Sequence, residues 1–289
     1  MSTYSRLIRF VPQGGSKPVI GEPTTDVDVG LATYAGEPVE VTLFSGESVL
    51  QPGERTGEKA LVERVLSPLA PEEVGTIRCI GLNYINHANE VKMAIPETPV
   101  LFMKPATALA DPFPAPTVIP RSFVKDQAAD YESEVVVVIG KACKNVSESA
   151  ALDYVAGYTA ANDVSSRLAQ FAQSQWCYSK SFDGACPTGP AFVPASAVKD
   201  ISALKIVGSL SGKVVQESKL DDLIFSIPKI VSFLSQGTTL PAGTIILTGT
   251  PAGVGWSTEP RRLLKDGDEF RVFVSHGVGT LINKVVEEK

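Results

Sequence analysis

The run Tyr131-Glu-Ser-Glu-Val-Val-Val-Val-Ile139 constrains this chain more than any other segment. Five consecutive β-branched residues are stiff at χ1 and favour an extended backbone. Because apolar residues do not alternate with polar ones, the strand they predict is buried on both faces, so the fold must supply cover on each side of it. Successive strand side chains point to opposite faces, so Glu132 and Glu134 share one face at the mouth of that strand. Two acids there repel each other unless something neutralises them. With Asp163, which ends Gly157-Tyr-Thr-Ala-Ala-Asn-Asp163, they form a candidate site for a hard divalent cation, since Mg²⁺, Mn²⁺ and Ca²⁺ take carboxylate oxygens without needing sulfur or imidazole. The competing reading is that the strand begins in solvent and Asp163 caps a helix over 164–172.

The chain has 289 residues and a net charge of −6, with a pI near 5.1. That balance argues against nucleic acid, whose recognition needs a clustered basic face, and favours small-molecule chemistry. Cys79, Cys143, Cys177 and Cys186 form no Cys-x-x-Cys pair. With no secretory leader over Met1 to Val11, they are expected to be reduced thiols in an intracellular compartment, cytoplasmic or organellar, and a structural zinc site is not expected. Apolar runs such as 135–139 and 244–247 are too short to span a bilayer, which takes about 20 residues.

Residues 1 to about 70 read as a small, mostly β unit, with strands expected at 7–11 and 38–43 between glycine and proline turns. Two prolines in Leu66-Ser-Pro-Leu-Ala-Pro-Glu-Glu-Val74 suit an extended connection, which places a domain boundary near residue 70 and a larger domain over 71–289. In that larger part strands are expected at 77–80, 101–104, 134–139, 157–162, 206–210, 244–247 and 269–274. Helices are expected at 164–173, 147–152 and 223–234, the last despite Pro228. The proline string Pro112, Pro114, Pro116 and Pro120 is expected to be extended. Strands dominate, so the class is β-rich α+β, a barrel or sandwich.

Of the two histidines, His87 is the more informative. His87 and Glu90 are three apart, so a helical turn would set imidazole and carboxylate on one side. A carboxylate holding one ring nitrogen leaves the other to accept a proton, as a general base requires; the alternative is an incidental surface ion pair. His276, in Val274-Ser-His-Gly-Val278, suits a turn. Lys104, in Leu101-Phe-Met-Lys-Pro105, and Lys180 sit among residues that suggest fixed backbone geometry, and the shape-holding loop 179–190 could aim a cation at an anionic substrate. In the segment 247–255, backbone amides and the Thr250 hydroxyl could receive a carboxylate, or the segment could be a plain glycine-rich turn.

In this order these segments resemble the fumarylacetoacetate hydrolase superfamily. The resemblance rests on Gly-Leu-Asn-Tyr-x-x-His-x-x-Glu at 81–90, Phe-x-Lys-Pro at 102–105, Asp-Tyr-Glu-x-Glu at 130–134, Gly-Tyr-x-x-x-Asn-Asp-Val-Ser at 157–165, Lys-Ser-Phe-Asp at 180–183 and Thr-Gly-Thr-Pro-x-Gly-Val-Gly at 248–255. It implies a mixed β-sandwich roll behind a small N-terminal β domain, a homodimer, and Mg²⁺ or Mn²⁺ held by Glu132, Glu134 and Asp163. It also implies that Lys180 lies beside the metal, that His87 and Glu90 form a dyad on a lid that orders with substrate, and that Arg167, Gln170 and Thr250 face the substrate carboxylate. The activity implied is hydrolysis of a C–C bond in an acylpyruvate or related β-diketo or 2-oxo acid through a metal-bound enolate, with His87 and Glu90 activating water. The alternatives are an oxaloacetate-type decarboxylase or a dienoate isomerase on the same site, or an idle scaffold, although no metal acid, histidine or lysine is missing. The family often reads Ser-Ala-Arg-Asp-x-Gln where this chain has Ser165-Ser-Arg-Leu-Ala-Gln170. If the missing acid would pair with Arg167 or Lys180, Leu168 frees a positive charge or opens an apolar surface near the pocket. Side-chain selectivity is expected to lie around Ile95, Phe171 and Trp256.

Overall fold

The computed structural model describes residues 3–289. Its centre is the expected strand, Ser133–Ile139, with all seven residues buried. It lies in a seven-stranded sheet ordered Val100–Pro105, Thr76–Gly81, Ile245–Leu247, Ser133–Ile139, Val155–Asn162, Cys186–Pro194 and Leu109–Ala110. A five-stranded sheet is built from Lys213–Lys219, Lys205–Leu210, Glu269–Val274, Gly279–Glu287 and Thr117–Ile119. The two sheets pack face to face, with Ser133–Ile139 and Val155–Asn162 against Glu269–Val274, and Cys186–Pro194 against Gly279–Glu287. Glu269–Val274 alternates half-buried and buried residues, the pattern of a sheet with one face on the core.

Ahead of the sandwich, Ile8–Pro12, Val19–Pro23, Glu40–Phe44 and Arg55–Leu66 close into a four-stranded barrel with its own apolar cluster of Ile8, Phe10, Val41 and Val65. Backbone bonds between Leu7 and Phe192, 2.8 Å in each direction, tie it to the sandwich. So does Asp28, which accepts from the Thr280 amide at 3.1 Å and hydroxyl at 2.6 Å.

Three helix expectations change. Over 164–173 the chain first forms Ser165–Ser166, paired with Ala129–Asp130, and only Arg167–Phe171 is helical, with Ser166 rather than Asp163 at its N-cap. The segment at 147–152 is a 3₁₀ helix over Glu148–Tyr154. The third helix begins later than expected, at Ile227–Ser235, where the Ser226 side chain caps Lys229 N and Pro228 falls in the first turn, a position that needs no N–H donor. Its Ile227, Ile230, Val231 and Leu234 form one buried stripe. The rigid loop expected at 179–190 is a short helix, Cys177–Lys180, followed by the buried strand Cys186–Pro194. His276 sits in a turn at φ 59°, and all four cysteines are free. Among the described residues, no helix is long and apolar enough to cross a membrane.

Candidate active site

Strand register assembles the acids. Ser133 pairs with Asn162 in the antiparallel ladder of the two central strands, so the residues just beyond each end meet. The Asp163 amide donates to Glu132 O at 2.8 Å, and the Glu132 amide donates to Asn162 Oδ1 at 3.0 Å. Glu134 then falls on the same face as Glu132. Candidate ligand oxygens of Glu132, Glu134 and Asp163 lie within 4.8 Å of one another, and all three residues are buried.

Three cations surround them. Lys180 Nζ donates to Glu132 Oε2 and Asp163 Oδ2, both at 2.8 Å. Arg167 Nη1 donates to Glu132 Oε1 at 2.6 Å and to Gln170 Oε1 at 3.0 Å, while its Nε donates to Asp130 Oδ2 at 2.8 Å. Lys104 Nζ lies 2.6 Å from Asp163 Oδ1. That contact is an ion pair off the hydrogen-bond direction, because Lys104 gives its three protons to the carbonyls of Lys180 at 2.6 Å, Ala185 at 2.8 Å and Val164 at 3.4 Å, and Asp163 Oδ1 accepts no hydrogen bond.

Among the described residues, the Lys and Arg side chains paired with the group of Glu132, Glu134, Asp163 and Asp130 are Arg167, Lys180 and Lys104, so these seven buried residues hold one more acid than base. Glu134 is the acid left over. Among the described residues it forms no ion pair, and its hydrogen bond comes from Gly249 N at 2.6 Å. Burial, together with the charges of Asp163 and Glu132, raises its pKa well above the usual carboxylate range. Glu132 behaves oppositely: burial opposes its ionisation, but Lys180 and Arg167 prevail and bring it down to about 2. Burial also works against the charged Lys180, yet Asp163 and Glu132 hold its pKa above the ordinary lysine value. A divalent cation fits this cluster. It would be met by hard oxygen donors, take up the hydrogen-bond-free Asp163 Oδ1, and turn the deficit of one charge into a surplus that matches a monocarboxylate.

His87 and Glu90 sit on the helix Ile85–Glu90, with His87 Nδ1 at 2.9 Å from Glu90 Oε2. The other Glu90 oxygen accepts from Gly253 N at 2.9 Å. Asn86 bonds to Asp222 and holds the same helix from its other side. With Nδ1 engaged, His87 presents Nε2 as its free ring nitrogen. His87, Glu90, Glu132, Lys180, Arg167 and Thr250 line one cavity of about 490 Å³, within the range of about 300–1,000 Å³ usual for small-molecule sites.

The segment 247–255 does receive carboxylates through its backbone, but they are the protein's own. Gly249 N serves Glu134, Gly253 N serves Glu90, and Gly255 N at 2.9 Å and the adjoining Trp256 N at 3.0 Å serve Asp130. Gly249 and Gly253 have φ of 102° and 107°, a region that side chains other than glycine rarely enter.

Two residues that the sequence reading passed over complete the site. Asp130, fully buried, accepts from Tyr131 N, Gly255 N, Trp256 N and Arg167 Nε. Gln216 is 1 % exposed. Its Nε2 donates to Thr250 Oγ1 at 2.7 Å and to Pro251 O at 2.8 Å, and its Oε1 accepts from Ser133 N at 3.0 Å. Thr250 therefore accepts from Gln216 and keeps its own hydroxyl proton for a ligand. Gln170 likewise gives its oxygen to Arg167 and has its –NH₂ to offer, while Arg167 Nη2 is buried without a partner. Of the two outcomes expected of Leu168, no positive charge is freed, because Arg167 and Lys180 are both paired with other acids; Leu168, 44 % exposed, is an apolar surface next to the cavity without being part of its wall.

Comparison with known proteins agrees with this geometry. Residues 76–286 match the family described as fumarylacetoacetate (FAA) hydrolase, C-terminal. Caffeoylpyruvate hydrolase of Neonothopanus nambi is 46 % identical over 294 residues, covering 100 % of this chain and 95 % of that one. Mitochondrial oxaloacetate tautomerase Fahd2a of Rattus norvegicus is 34 % identical over 300 residues, covering 97 % and 91 %. The crystal structure of 2-hydroxyhepta-2,4-diene-1,7-dioate isomerase from Mycobacterium marinum superposes with a TM-score of 0.79 at 30 % identity, covering 98 % of this chain and 99 % of that one. The family-wide match, the sandwich fold and the carboxylate cluster lead to one assignment: this chain is an enzyme of the fumarylacetoacetate hydrolase family.

Proposed function

We propose that this enzyme hydrolyses the C–C bond of an acylpyruvate, releasing pyruvate and a carboxylic acid. The observation that carries the reading is the dyad: His87 Nδ1 is held by Glu90, whose second oxygen is pinned by Gly253 N–H, beside the acid cluster in one cavity. Similarity to a caffeoylpyruvate hydrolase over the whole chain supports it.

When bound at Glu132, Glu134 and Asp163, Mg²⁺ or Mn²⁺ supplies Lewis-acid polarisation of the 2-oxo acid and offsets negative charge on the departing carbon. Arg167 Nη2, the Gln170 amide and the Thr250 hydroxyl hold the substrate carboxylate. His87 takes a proton from water through Nε2, and Glu90 stabilises the imidazolium that results. Hydroxide adds to the distal carbonyl, the bond from that carbon to the methylene breaks, and the electron pair becomes the pyruvate enolate, which a proton quenches. A positioned base of this kind contributes about 10²–10⁴ in rate. Lys180 adds fixed positive charge where the enolate forms.

A second reading keeps the 2-oxo acid in place and has His87 move a proton at carbon, giving tautomerisation, isomerisation or decarboxylation. The similarities to an oxaloacetate tautomerase and a dienedioate isomerase favour it. Assaying acetylpyruvate, fumarylpyruvate and oxaloacetate with Mg²⁺ or Mn²⁺, a chelator control and product identification separates the two. Pyruvate plus a carboxylic acid, lost with chelator and lowered at least 100-fold in His87→Ala while the cation still binds, is the expected result. Carbon dioxide, or a shifted double bond without cleavage, would replace the hydrolase reading with the second one.

A further inference from the structure

Away from the acids and their cations the cavity changes character. Its outer wall is formed by Met93, Phe102, Phe171, Trp176, Val254 and Trp256. Phe171 is 62 % exposed and Met93, on the same wall, 56 %, and a shared exposed apolar surface at a cavity is the kind that marks a ligand-binding groove. It faces Trp256 with ring centroids 5.4 Å apart and planes at 52°. The Arg261 guanidinium stacks on the Trp256 ring, 3.5 Å from its centroid, and holds that indole in place. Trp176 meets Phe102 edge-on at 5.6 Å. It also fills space that only a glycine leaves open, because a Cβ on Gly81 would sit 2.2 Å from the indole.

Charge separates the two ends. The cations lining the cavity are Arg167 and Lys180, and both are committed to the inner acids. The lining of the outer wall contains no cation of its own, since Arg261 lies outside it against the face of Trp256, while Glu90 adds an acid to the lining. An acyl arm ending in a carboxylate would gain no ion pair from this lining and would lose part of its hydration against the apolar side chains. A flat neutral ring would instead complete the edge and face contacts that Phe171 and Trp256 leave open. Ile95 is 53 % exposed and takes no part in this wall.

We propose that the outer cavity is an aromatic subsite that selects acylpyruvates whose acyl arm is neutral and ends in an aromatic ring, over arms that are carboxylate-terminated or short and aliphatic. The inference rests on the acylpyruvate reading above and adds which acyl arm that site takes.

Both tryptophans of the chain line this cavity, so intrinsic fluorescence reports binding whether or not a ligand is cleaved. The Mg²⁺-loaded protein is titrated with benzoylpyruvate and with fumarylpyruvate at 4 °C, and kcat/KM is measured for both and for acetylpyruvate. Benzoylpyruvate is expected to bind at least tenfold more tightly than fumarylpyruvate and to have the highest kcat/KM. In Phe171→Ala, benzoylpyruvate affinity falls at least tenfold, through KM, and at least fivefold more than any loss with acetylpyruvate. Trp256→Phe, which keeps a ring, loses less than Trp256→Ala. Equal or tighter binding of fumarylpyruvate, or equal losses across substrates in Phe171→Ala, would overturn the subsite. Absence of cleavage for all three would remove the hydrolase reading, and the titrations would still decide the subsite.

Discussion

Replacing Glu134 with glutamine tests whether this acid is the surplus charge that calls for a cation. Glutamine keeps an oxygen for Gly249 N–H and gives the cluster a neutral amide in place of the fourth acid. The raised pKa of Glu134 means that the folded chain, in a chelator, holds a proton that the unfolded chain releases near the ordinary value of 4.5. Stability then falls as pH rises above 4.5, by about 1.4 kcal/mol per pH unit, for as long as the pH stays below the folded value. The neighbours do not mask this. Glu132, lowered to about 2, contributes stability that is fully present above 4.5 and is lost only as pH falls towards 2. Lys180, raised above 10.5, contributes stability that is fully present below 10.5. From pH 5 upward the wild type should therefore lose stability relative to Glu134→Gln, with a ceiling of about 1.4 kcal/mol for each pH unit. An unfolding entropy of about 2.1 cal/mol/K per residue makes that ceiling about 2 °C in Tm per pH unit for a chain of this length. Thermal unfolding by circular dichroism in EDTA at pH 5, 6 and 7 measures it. Excess Mn²⁺ should stabilise the wild type by about 2.7 kcal/mol at a hundredfold excess over Kd, which raises its midpoint by about 4–5 °C, and leave the variant nearly unmoved. Parallel pH profiles for the two proteins in EDTA would refute the charge argument.

Two further outcomes follow from named contacts. Asp130→Asn takes one anion from Arg167, which keeps Glu132, and the loss of charge-assisted hydrogen bonding costs about 1.5–3 kcal/mol, so Tm should fall by about 2–5 °C. The same variant should lose at least 100-fold in kcat/KM; an unchanged kcat/KM would show that Arg167 needs no anchor. Leu168→Asp restores the acid common in the family at an exposed position, where substitutions usually change stability by about 0.5 kcal/mol or less. Steady-state assay should show kcat/KM within twofold of wild type, and a larger change would return Leu168 to the pocket.

The central strand was legible because five β-branched residues in a row leave little alternative to a doubly covered strand, and period two then put Glu132 and Glu134 together. Cys186–Pro194 is equally buried and was not legible. Pro187, Gly189 and Pro190 read as turn formers, and the ladder accommodates them through an irregularity in which Tyr158 and Ala160 face Val193 and Gly189. The helix expected over 164–173 failed at its start because Ser165–Ser166 is claimed by Ala129–Asp130, a pairing that local periodicity does not contain. The site divides in the same way. His87 and Glu90 meet within one helical turn and could be paired on spacing. Asp130 and Gln216 act on partners 37 and 34 residues away, and Gln216 lies in a half-exposed strand that carries no signal of its own.

One segment makes the site a unit. Backbone N–H groups from Gly249, Gly253, Gly255 and Trp256 fix Glu134 of the acid cluster, Glu90 of the dyad and Asp130 behind Arg167. The distances between the acid cluster, the His87–Glu90 pair and Arg167 are therefore set by one run of backbone rather than by three independent loops, the kind of preorganisation that charge development requires. It also explains how one arrangement serves a family that contains hydrolases, tautomerases and isomerases. In the proposed mechanism this chain would hold a 2-oxo acid and move a proton beside it, and the outcome would turn on what meets the free nitrogen of His87. A water at that nitrogen would lead to cleavage, and a substrate carbon to tautomerisation. If the outer cavity takes the acyl arm as proposed, the arm would extend the substrate beyond its pyruvate head and bring the distal carbonyl, rather than the methylene, within reach of a water at His87.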